Sequence, residues 1–163
     1  MIGTSDPTWI AEELFLDSLL FLHVVPDTVE SLVDIGSGAG LPGIPIKIVK
    51  PSLRMLLVES RQRRASFLSA IVRELGLTGI QVLSERVLTV PANWRGAFDG
   101  AVARCAGSSE STMRLGAEFV RRGGTVVLSG PPAPRKAEIG RRIVVRVGAD
   151  SPRSPRSFLV QEV

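Results

Sequence analysis

The sequence has few of the residues that usually build disulfide frameworks and metal centres. Its 163 residues include one cysteine, Cys105, and one histidine, His23. A single cysteine excludes an intramolecular disulfide, and two such residues are too few for a cysteine- and histidine-ligated zinc site. A Ser-His-Asp triad would have to use His23. We therefore expect no metal in this protein.

Long hydrophobic runs and a basic amino-terminal leader are also missing. No stretch of about 20 uncharged apolar residues is present, and the best candidate, residues 14–25, contains Asp17 and His23. With 44% apolar and 22% charged residues, the composition is that of a folded protein. We expect one cytoplasmic domain over residues 1–163, monomeric and without a membrane partner, in which residues 1–26 form a helical segment packed on the rest.

Lysine is scarce, and the positive charge is unevenly placed along the chain. Seventeen of the 20 basic residues are arginine; residues 1–60 contain 3 basic and 8 acidic residues, whereas residues 61–163 contain 17 and 8. Arginine binds phosphate in a bidentate manner and stacks on bases, so a basic half of this kind favours a nucleic-acid partner. The alternative is a genome whose codon composition favours arginine.

Short apolar strands alternate with helical patterns along the chain. Helices are predicted from Pro7 to the residue before Pro26, from the glycine loop to Lys50, and over residues 61–75 and 111–121. Strands are predicted over residues 32–35, 54–59, 80–83, 98–103, 125–128, 143–147 and 158–163. This alternation predicts an α/β fold with a mostly parallel sheet and helices on both faces. The last two strands have no helix between them, which favours an antiparallel pair at the end.

A glycine-rich loop follows the first strand, with one acidic residue before it and another at the end of the second strand. The spacing Gly36-x-Gly38-x-Gly40 is not the dinucleotide fingerprint, and the loop lacks the lysine of a phosphate-binding P-loop. Asp34 precedes the loop and can meet a cationic group, whereas Glu59 can accept both hydroxyls of a ribose. A ribose acceptor, a cation acceptor and a loop that approaches an adenosine together predict S-adenosylmethionine as the cofactor. The alternative is a tight strand–helix turn with a capping role.

At this point the sequence resembles a known family. The run from Asp34 to Pro45, Asp-Ile-Gly-Ser-Gly-Ala-Gly-Leu-Pro-Gly-Ile-Pro, looks like the signature of the bacterial 16S ribosomal RNA guanine-N7 methyltransferases, the glucose-inhibited division protein B family. Matching segments occur in the same order: Phe15 to Leu19, Glu59 to Leu68, and Phe98 to Arg104. The resemblance implies a class I S-adenosylmethionine-dependent methyltransferase fold, Rossmann-like, with a seven-stranded sheet whose last strand is antiparallel.

The resemblance also implies which residues hold the cofactor, and the charge and aromatic character of other residues predict contact with the RNA of the small ribosomal subunit. The expected cofactor residues lie at the first three strand ends and at Arg104: Asp34, Gly36, Ser37, Gly38, Gly40, Leu41, Pro42, Glu59, Ser60, Arg86 and Arg104. The expected RNA-binding residues are acidic, basic or aromatic: Asp17, Arg63, Arg64, Trp94, Arg135 and Lys136. For Arg63 and Arg64 a solvated helix face is the alternative, and for Trp94 a loop anchor.

The chemistry of guanine N7 sets modest demands on the protein. N7 has an exposed lone pair and no proton to lose, so methyl transfer needs alignment and exclusion of water rather than a general base. Arg104, at the end of the fourth strand, is the candidate catalytic residue, positioning the guanine through O6 or through a phosphate. The alternative role for Arg104 is a structural ion pair with Asp17.

Two positions depart from the family pattern and keep other functions open. The family usually has a histidine where this chain has Leu14 and a lysine where it has Ser129, as well as a longer amino-terminal helical section. The alternatives are a methyltransferase for another RNA or for a small molecule, and a homologue that binds cofactor or RNA without catalysis.

Overall fold

A seven-stranded sheet forms the centre of the fold. The computed structural model describes residues 6–104, 108–130, 140–146 and 154–163. The strands are β1 (Ser31–Ile35), β2 (Arg54–Val58), β3 (Ile80–Leu83), β4 (Phe98–Ala103), β5 (Val120–Ser129), β6 (Arg141–Val145) and β7 (Arg156–Glu162). The helices are α1 (Pro7–Ile10), a π-helical stretch (Ala11–Leu16), α2 (Asp17–Leu19), a 3₁₀ turn (Leu20–His23), α3 (Gly43–Val49), α4 (Gln62–Glu74) and α5 (Ser109–Phe119).

The strand order confirms the predicted sheet. It is β3-β2-β1-β4-β5-β7-β6, with parallel pairing from β3 through β5. Strand β7 pairs antiparallel with both β5 and β6, so it runs against the other six strands. The chain leaves β1 toward β2 on one side and reaches β4 on the other, which makes the β1–β4 boundary the topological switch point of the sheet.

Strand β5 begins earlier than the sequence predicts. A glycine pair, Gly123 and Gly124, marks the predicted loop before the strand, but in the structure both residues lie inside β5. Val120 pairs with Phe98, and the register then shifts before Gly100. A Cβ at Gly124 would lie 2.4 Å from the Asp99 carbonyl oxygen, so the glycine permits a close approach of β5 to β4.

The sheet has an apolar core on each face. One core joins β-strand residues to the amino-terminal segment, α3 and α4 through Phe21, Ile46 and Leu68. The other lies under α5 and includes Met113 and Phe119. Alternate residues of a strand point to opposite faces, and β1 accordingly sends Leu32 to the first core and Val33 to the second.

The helical segment before β1 packs on the first core. Asp6 caps α1 by accepting hydrogen bonds from the Thr8 and Trp9 amides, and Pro7 stands at the first helical position. The Phe21 ring meets the Phe158 ring of β7 edge-on, with 4.8 Å between ring centroids. This contact brings the beginning and the end of the described chain to the same face of the sheet. Within the described ranges, no helix has the length and apolar character needed to cross a membrane.

Candidate active site

A crevice opens where β1, β2 and β4 end, at the topological switch point. It consists of two adjoining cavities, a smaller one of about 380 Å³ and a larger one of about 830 Å³. Gly36 and Arg64 line both cavities. Ligands of open α/β sheets bind at this place because the strand connections diverge there.

The glycine loop forms the floor between the two cavities. Gly38 and Gly40 have φ angles of 60° and 91°, a conformation that other residues rarely adopt. A Cβ at Gly40 would lie 2.5 Å from Ile44 Cγ1, whereas one at Gly38 would meet no atom closer than 3.8 Å. Gly40 therefore serves packing, and Gly38 presents its backbone to the crevice. The buried Ser37 hydroxyl donates to the Asp34 carbonyl oxygen at 2.9 Å and holds the turn.

Asp34 is fully buried beneath this loop and only half satisfied. Its Oδ2 accepts a hydrogen bond of 3.0 Å from the Gly43 amide, while its Oδ1 has no hydrogen-bond partner. Burial raises the pKa of Asp34 to about 7; the nearby Glu59 adds to this, and the Gly43 amide, Ser37 and Arg104 oppose it. An unpartnered buried carboxylate oxygen at the base of a crevice fits a cationic ligand.

Glu59 lies at the end of β2 and connects the second strand to the glycine loop. Its side chain is buried, with Oε2 accepting from the Gly38 amide at 2.9 Å and Oε1 accepting from the Arg61 amide at 2.8 Å. Oε1 also accepts a hydrogen bond of 3.5 Å from the Ser60 hydroxyl, and Oε2 retains a further lone pair for a ligand hydroxyl. Glu59 lines the smaller cavity together with Ser60 and Arg86, which fits a nucleoside with its ribose toward the carboxylate.

The larger cavity is walled by a cluster of charged side chains. Arg104, just after β4, has Nη1 at 3.6 Å from Oδ2 of Asp17. Arg156, the first residue of β7, donates through Nε to Oδ1 of Asp17 and through Nη2 to Glu13 at 3.1 Å. The hydrogen bond that Arg156 donates to Asp17 is the largest cause of a raised pKa for the Arg156 guanidinium. Two guanidinium groups from different strand ends thus share one carboxylate.

Comparison with known proteins supplies the family. Residues 1–133 match the GidB family, described as rRNA small subunit methyltransferase G. The chain belongs to the GidB family. A relative in Sorangium cellulosum, named ribosomal RNA small subunit methyltransferase G, is 41% identical over 131 residues, which are 78% of this chain and 55% of the relative. One of the same name in Rubrobacter xylanophilus is 35% identical over 153 residues, 91% of this chain and 59% of the relative.

The chain spans about half the length of the curated GidB relatives it matches. Solved structures agree on the fold. An S-adenosylmethionine-dependent methyltransferase from Aquifex aeolicus superposes with a TM-score of 0.65 at 15% identity, over 95% of this chain and 92% of that one. Coclaurine N-methyltransferase bound to S-adenosylhomocysteine (SAH) gives a TM-score of 0.61 at 17% identity, over 79% and 38%. The fold is therefore the Rossmann-like class I methyltransferase fold that the resemblance implied.

Most of the residues predicted for the cofactor meet in the crevice. The smaller cavity is lined by Gly36, Glu59, Ser60 and Arg86, and the larger one by Gly36, Ser37, Gly38, Leu41 and Arg104. Asp34, Gly40 and Pro42 lie behind this lining and are buried. These three residues are therefore placed to support the glycine loop and not to line the space for a ligand. Only Asp34, through its electrostatic effect, would influence a ligand there.

The predicted RNA-binding residues separate into four groups. Asp17 and Arg64 line the larger cavity, and Arg64 reaches the glycine loop, with its Nη1 4.0 Å from a Cβ built on Gly38. Arg63 is exposed on the first turn of α4 and lines neither cavity. Trp94 lies before β4, at the other end of this strand from Arg104, with its ring stacked on Phe98 at 5.7 Å. Arg135 and Lys136 lie outside the described residues.

The sequence did not predict Glu13 as a site residue, and it indicated Arg156 only as one of several arginines on a diffuse phosphate-binding surface, not as a partner of Asp17. Arg156 meets Asp17 across 139 positions of sequence, and no motif connects the two. The only available signal was the excess of arginine in the second half of the chain, which does not distinguish one arginine from another.

Proposed function

We propose that this chain transfers a methyl group from S-adenosylmethionine to N7 of a guanine in 16S ribosomal RNA. The observation that carries the proposal is the joined pair of cavities, with Glu59 at one end, Asp34 beneath the centre and Arg104 at the other end. Membership of the GidB family supports the ribosomal substrate, and the resemblance of the sequence motifs supports guanine N7.

The residues of the crevice fit this cofactor. Glu59 would accept the ribose hydroxyls, and Ser60 and Arg86 would border the nucleoside in the smaller cavity. The Gly38 backbone would face the cofactor, and the unpartnered oxygen of Asp34 would stabilise a positively charged group above the loop. The bound cofactor supplies an electrophilic methyl group on a sulfonium.

The protein's part in the reaction is to orient and to exclude water. Guanine N7 has a free lone pair, so no side chain has to remove a proton before methyl transfer. Holding two reactants in line can supply roughly 7–11 kcal/mol of the barrier. Arg104 donates toward guanine O6 or a phosphate and leaves N7 free, while the walls of the larger cavity exclude water.

One observation favours a different substrate as the second candidate. Leu14 and Ser129, the two departures from the family pattern, both line the larger cavity. A changed wall at the substrate side would redirect methyl transfer to another RNA or to a small molecule, or leave a homologue that binds without catalysis.

Transfer of tritium from labelled cofactor to small ribosomal subunits that lack the modification distinguishes these functions. Label in 16S RNA, mapped to guanine N7 by cleavage at the modified base, is the expected result. Label only in other RNA or in small molecules supports the second candidate. Cofactor binding without any transfer supports the non-catalytic homologue, and no binding of S-adenosylmethionine at millimolar concentration contradicts the proposal altogether.

The catalytic role of Arg104 has its own test. We expect Arg104→Ala to lower methyl transfer by roughly a hundredfold, because the guanine loses its alignment, while the Kd for S-adenosylhomocysteine changes little. The matched control is Arg122→Ala. It removes an exposed arginine near the start of β5, at the end of the strands away from the crevice. A cofactor Kd that rises as much as the rate falls would assign Arg104 to the cofactor instead.

We also propose that the protein acts in the cytoplasm, on small ribosomal subunits, as a monomer. The two cavities are lined by residues of one chain, which supports the monomer. Sedimentation at working concentration tests it, and a dimer mass would contradict it.

A further inference from the structure

Asp17 lies between two arginines, and its contact with Arg156 is closer than its contact with Arg104. The contact with Arg156 is a close hydrogen bond from Nε, whereas the nearest nitrogen of Arg104 is 3.6 Å away. At that distance the Arg104 contact is an ion pair without a direct hydrogen bond. The donors of Arg104 are therefore not committed to Asp17.

The carboxylate of Asp17 requires a cationic partner. Its side chain is only 17% exposed, as is that of Arg104. A carboxylate with so little contact with water is costly to leave unpaired. Glu13 differs, because its side chain is 32% exposed and water can solvate it if Arg156 is lost.

We propose that Arg156 is a positioning residue that occupies Asp17 and thereby keeps the Arg104 guanidinium free for the substrate. Without Arg156, the Asp17 carboxylate would draw Arg104 into a direct hydrogen-bonded pair. A flexible arginine already 3.6 Å away has to move little to make that pair. This inference rests on the proposed function, in which Arg104 orients the guanine.

A pair of variants separates this role from ordinary stabilisation. We expect Arg156→Met to lower kcat by about ten- to a hundredfold, since a displacement of about 1 Å can cost that much, with the Kd for S-adenosylhomocysteine unchanged. Replacing Asp17 as well, in Asp17→Asn with Arg156→Met, removes the competing carboxylate and should raise kcat well above that of Arg156→Met, whereas the loss of a contact between Asp17 and the RNA would change KM. Arg122→Met is the control for loss of an exposed guanidinium.

The double variant distinguishes a positioning role of Arg156 from a purely structural one. A structural role for the ion pairs predicts a double variant as slow as Arg156→Met or slower, and that result overturns the inference. If Arg156→Met does not fold, as judged by its thermal unfolding curve, the same comparison is made with Arg156→Gln. A glutamine keeps a hydrogen-bond donor but supplies no positive charge to Asp17.

Crystal structures of the same variants test the inference apart from activity. In Arg156→Met we expect a nitrogen of Arg104 within about 3 Å of Asp17, the distance of a direct hydrogen bond. An Arg104 side chain that stays in place in this variant contradicts the inference. If the unaltered chain transfers no methyl group to small subunits, the proposed function fails, and these structures alone judge the role of Arg156.

Discussion

Glu59 shows at the scale of one residue how a side chain can hold a loop and a ligand together. Its two oxygens accept the Gly38 and Arg61 amides, so the carboxylate fixes the glycine loop against the end of β2. Glu59 also lines the smaller cavity. In the proposed function, cofactor affinity and loop position are therefore coupled in this residue.

We expect Glu59→Gln to weaken binding of S-adenosylhomocysteine by about tenfold or more, because hydrogen bonds to a charged group contribute roughly 1.5–3 kcal/mol. The glutamine amide also places a donor where a backbone amide needs an acceptor. Isothermal titration measures the Kd, with Glu74→Gln at the exposed end of α4 as the control. An unchanged Kd for Glu59→Gln would contradict the proposal that Glu59 accepts the ribose hydroxyls.

At the scale of elements, Lys47 ties helix α3 to strand β2. Its side chain is buried, and its ammonium donates to the carbonyl oxygens of Pro51, at 2.7 Å, and Leu53. Burial lowers the pKa of Lys47. The connection between α3 and β2 thus ends on a buried cation that satisfies two carbonyl groups.

Lys47→Met should lower the free energy of unfolding by about 1–3 kcal/mol, the cost of leaving buried polar groups unsatisfied. The matched control is Lys50→Met, three residues later. Lys50 pairs with Asp27, whose side chain is 96% exposed, and exposed pairs of this kind contribute about 0–1 kcal/mol. Urea unfolding of both variants makes the comparison, and equal losses would show that Lys47 acts as an ordinary surface lysine.

The elements differ in how far the sequence predicts them. Strands β3 and β4 have their predicted bounds, and each follows a glycine turn, at Gly79 and at Gly96. Strand β5 differs because Gly123 and Gly124 serve a bulge against β4, which depends on the neighbouring strand and not on local preference. The nearness of Asp34, the glycine loop and Glu59 was predictable because they lie at the carboxyl ends of neighbouring parallel strands and are close in sequence. Arg156 was not, because its partner Asp17 is distant in the chain.

At the scale of the whole molecule, the crevice and a polar network lie at opposite ends of the central strands. Asp99, near the start of β4, accepts from the Ser31 hydroxyl at 2.7 Å, from the Ser31 and Glu30 amides, and from Arg121 Nε at 2.7 Å. Burial alone would raise the pKa of Asp99, but these hydrogen bonds lower it to about 2. The network joins β1, β4 and β5 far from the crevice.

The lowered pKa of Asp99 makes stability depend on pH in the acid range. The carboxyl titrates near 3.8 when unfolded and near 2 when folded, so the unfolded chain binds more protons between these values. Its contribution, about 1–2 kcal/mol, is present above pH 4 and lost as the pH falls through 2. Asp99→Asn should therefore be less stable at pH 7 and lose this deficit near pH 2.

Denaturant unfolding across pH 2–7 measures this effect, with Asp27→Asn as the control for an exposed carboxylate. The Kd for S-adenosylhomocysteine should not change in Asp99→Asn, because the network lies at the edge away from the cavities. A stability deficit that stays constant from pH 7 to pH 2 would mean that the aspartate contributes through shape rather than charge.

The long separation between Asp17 and Arg156 has a consequence for synthesis of the chain. The glycine loop and Glu59 emerge from the ribosome close together. Strand β4 and Arg104, which follows it, emerge after them. Part of the lining of the larger cavity comes from β7, at the end of the described chain. A nascent chain would thus present the residues proposed to hold a nucleoside well before Arg156 joins the wall of the larger cavity.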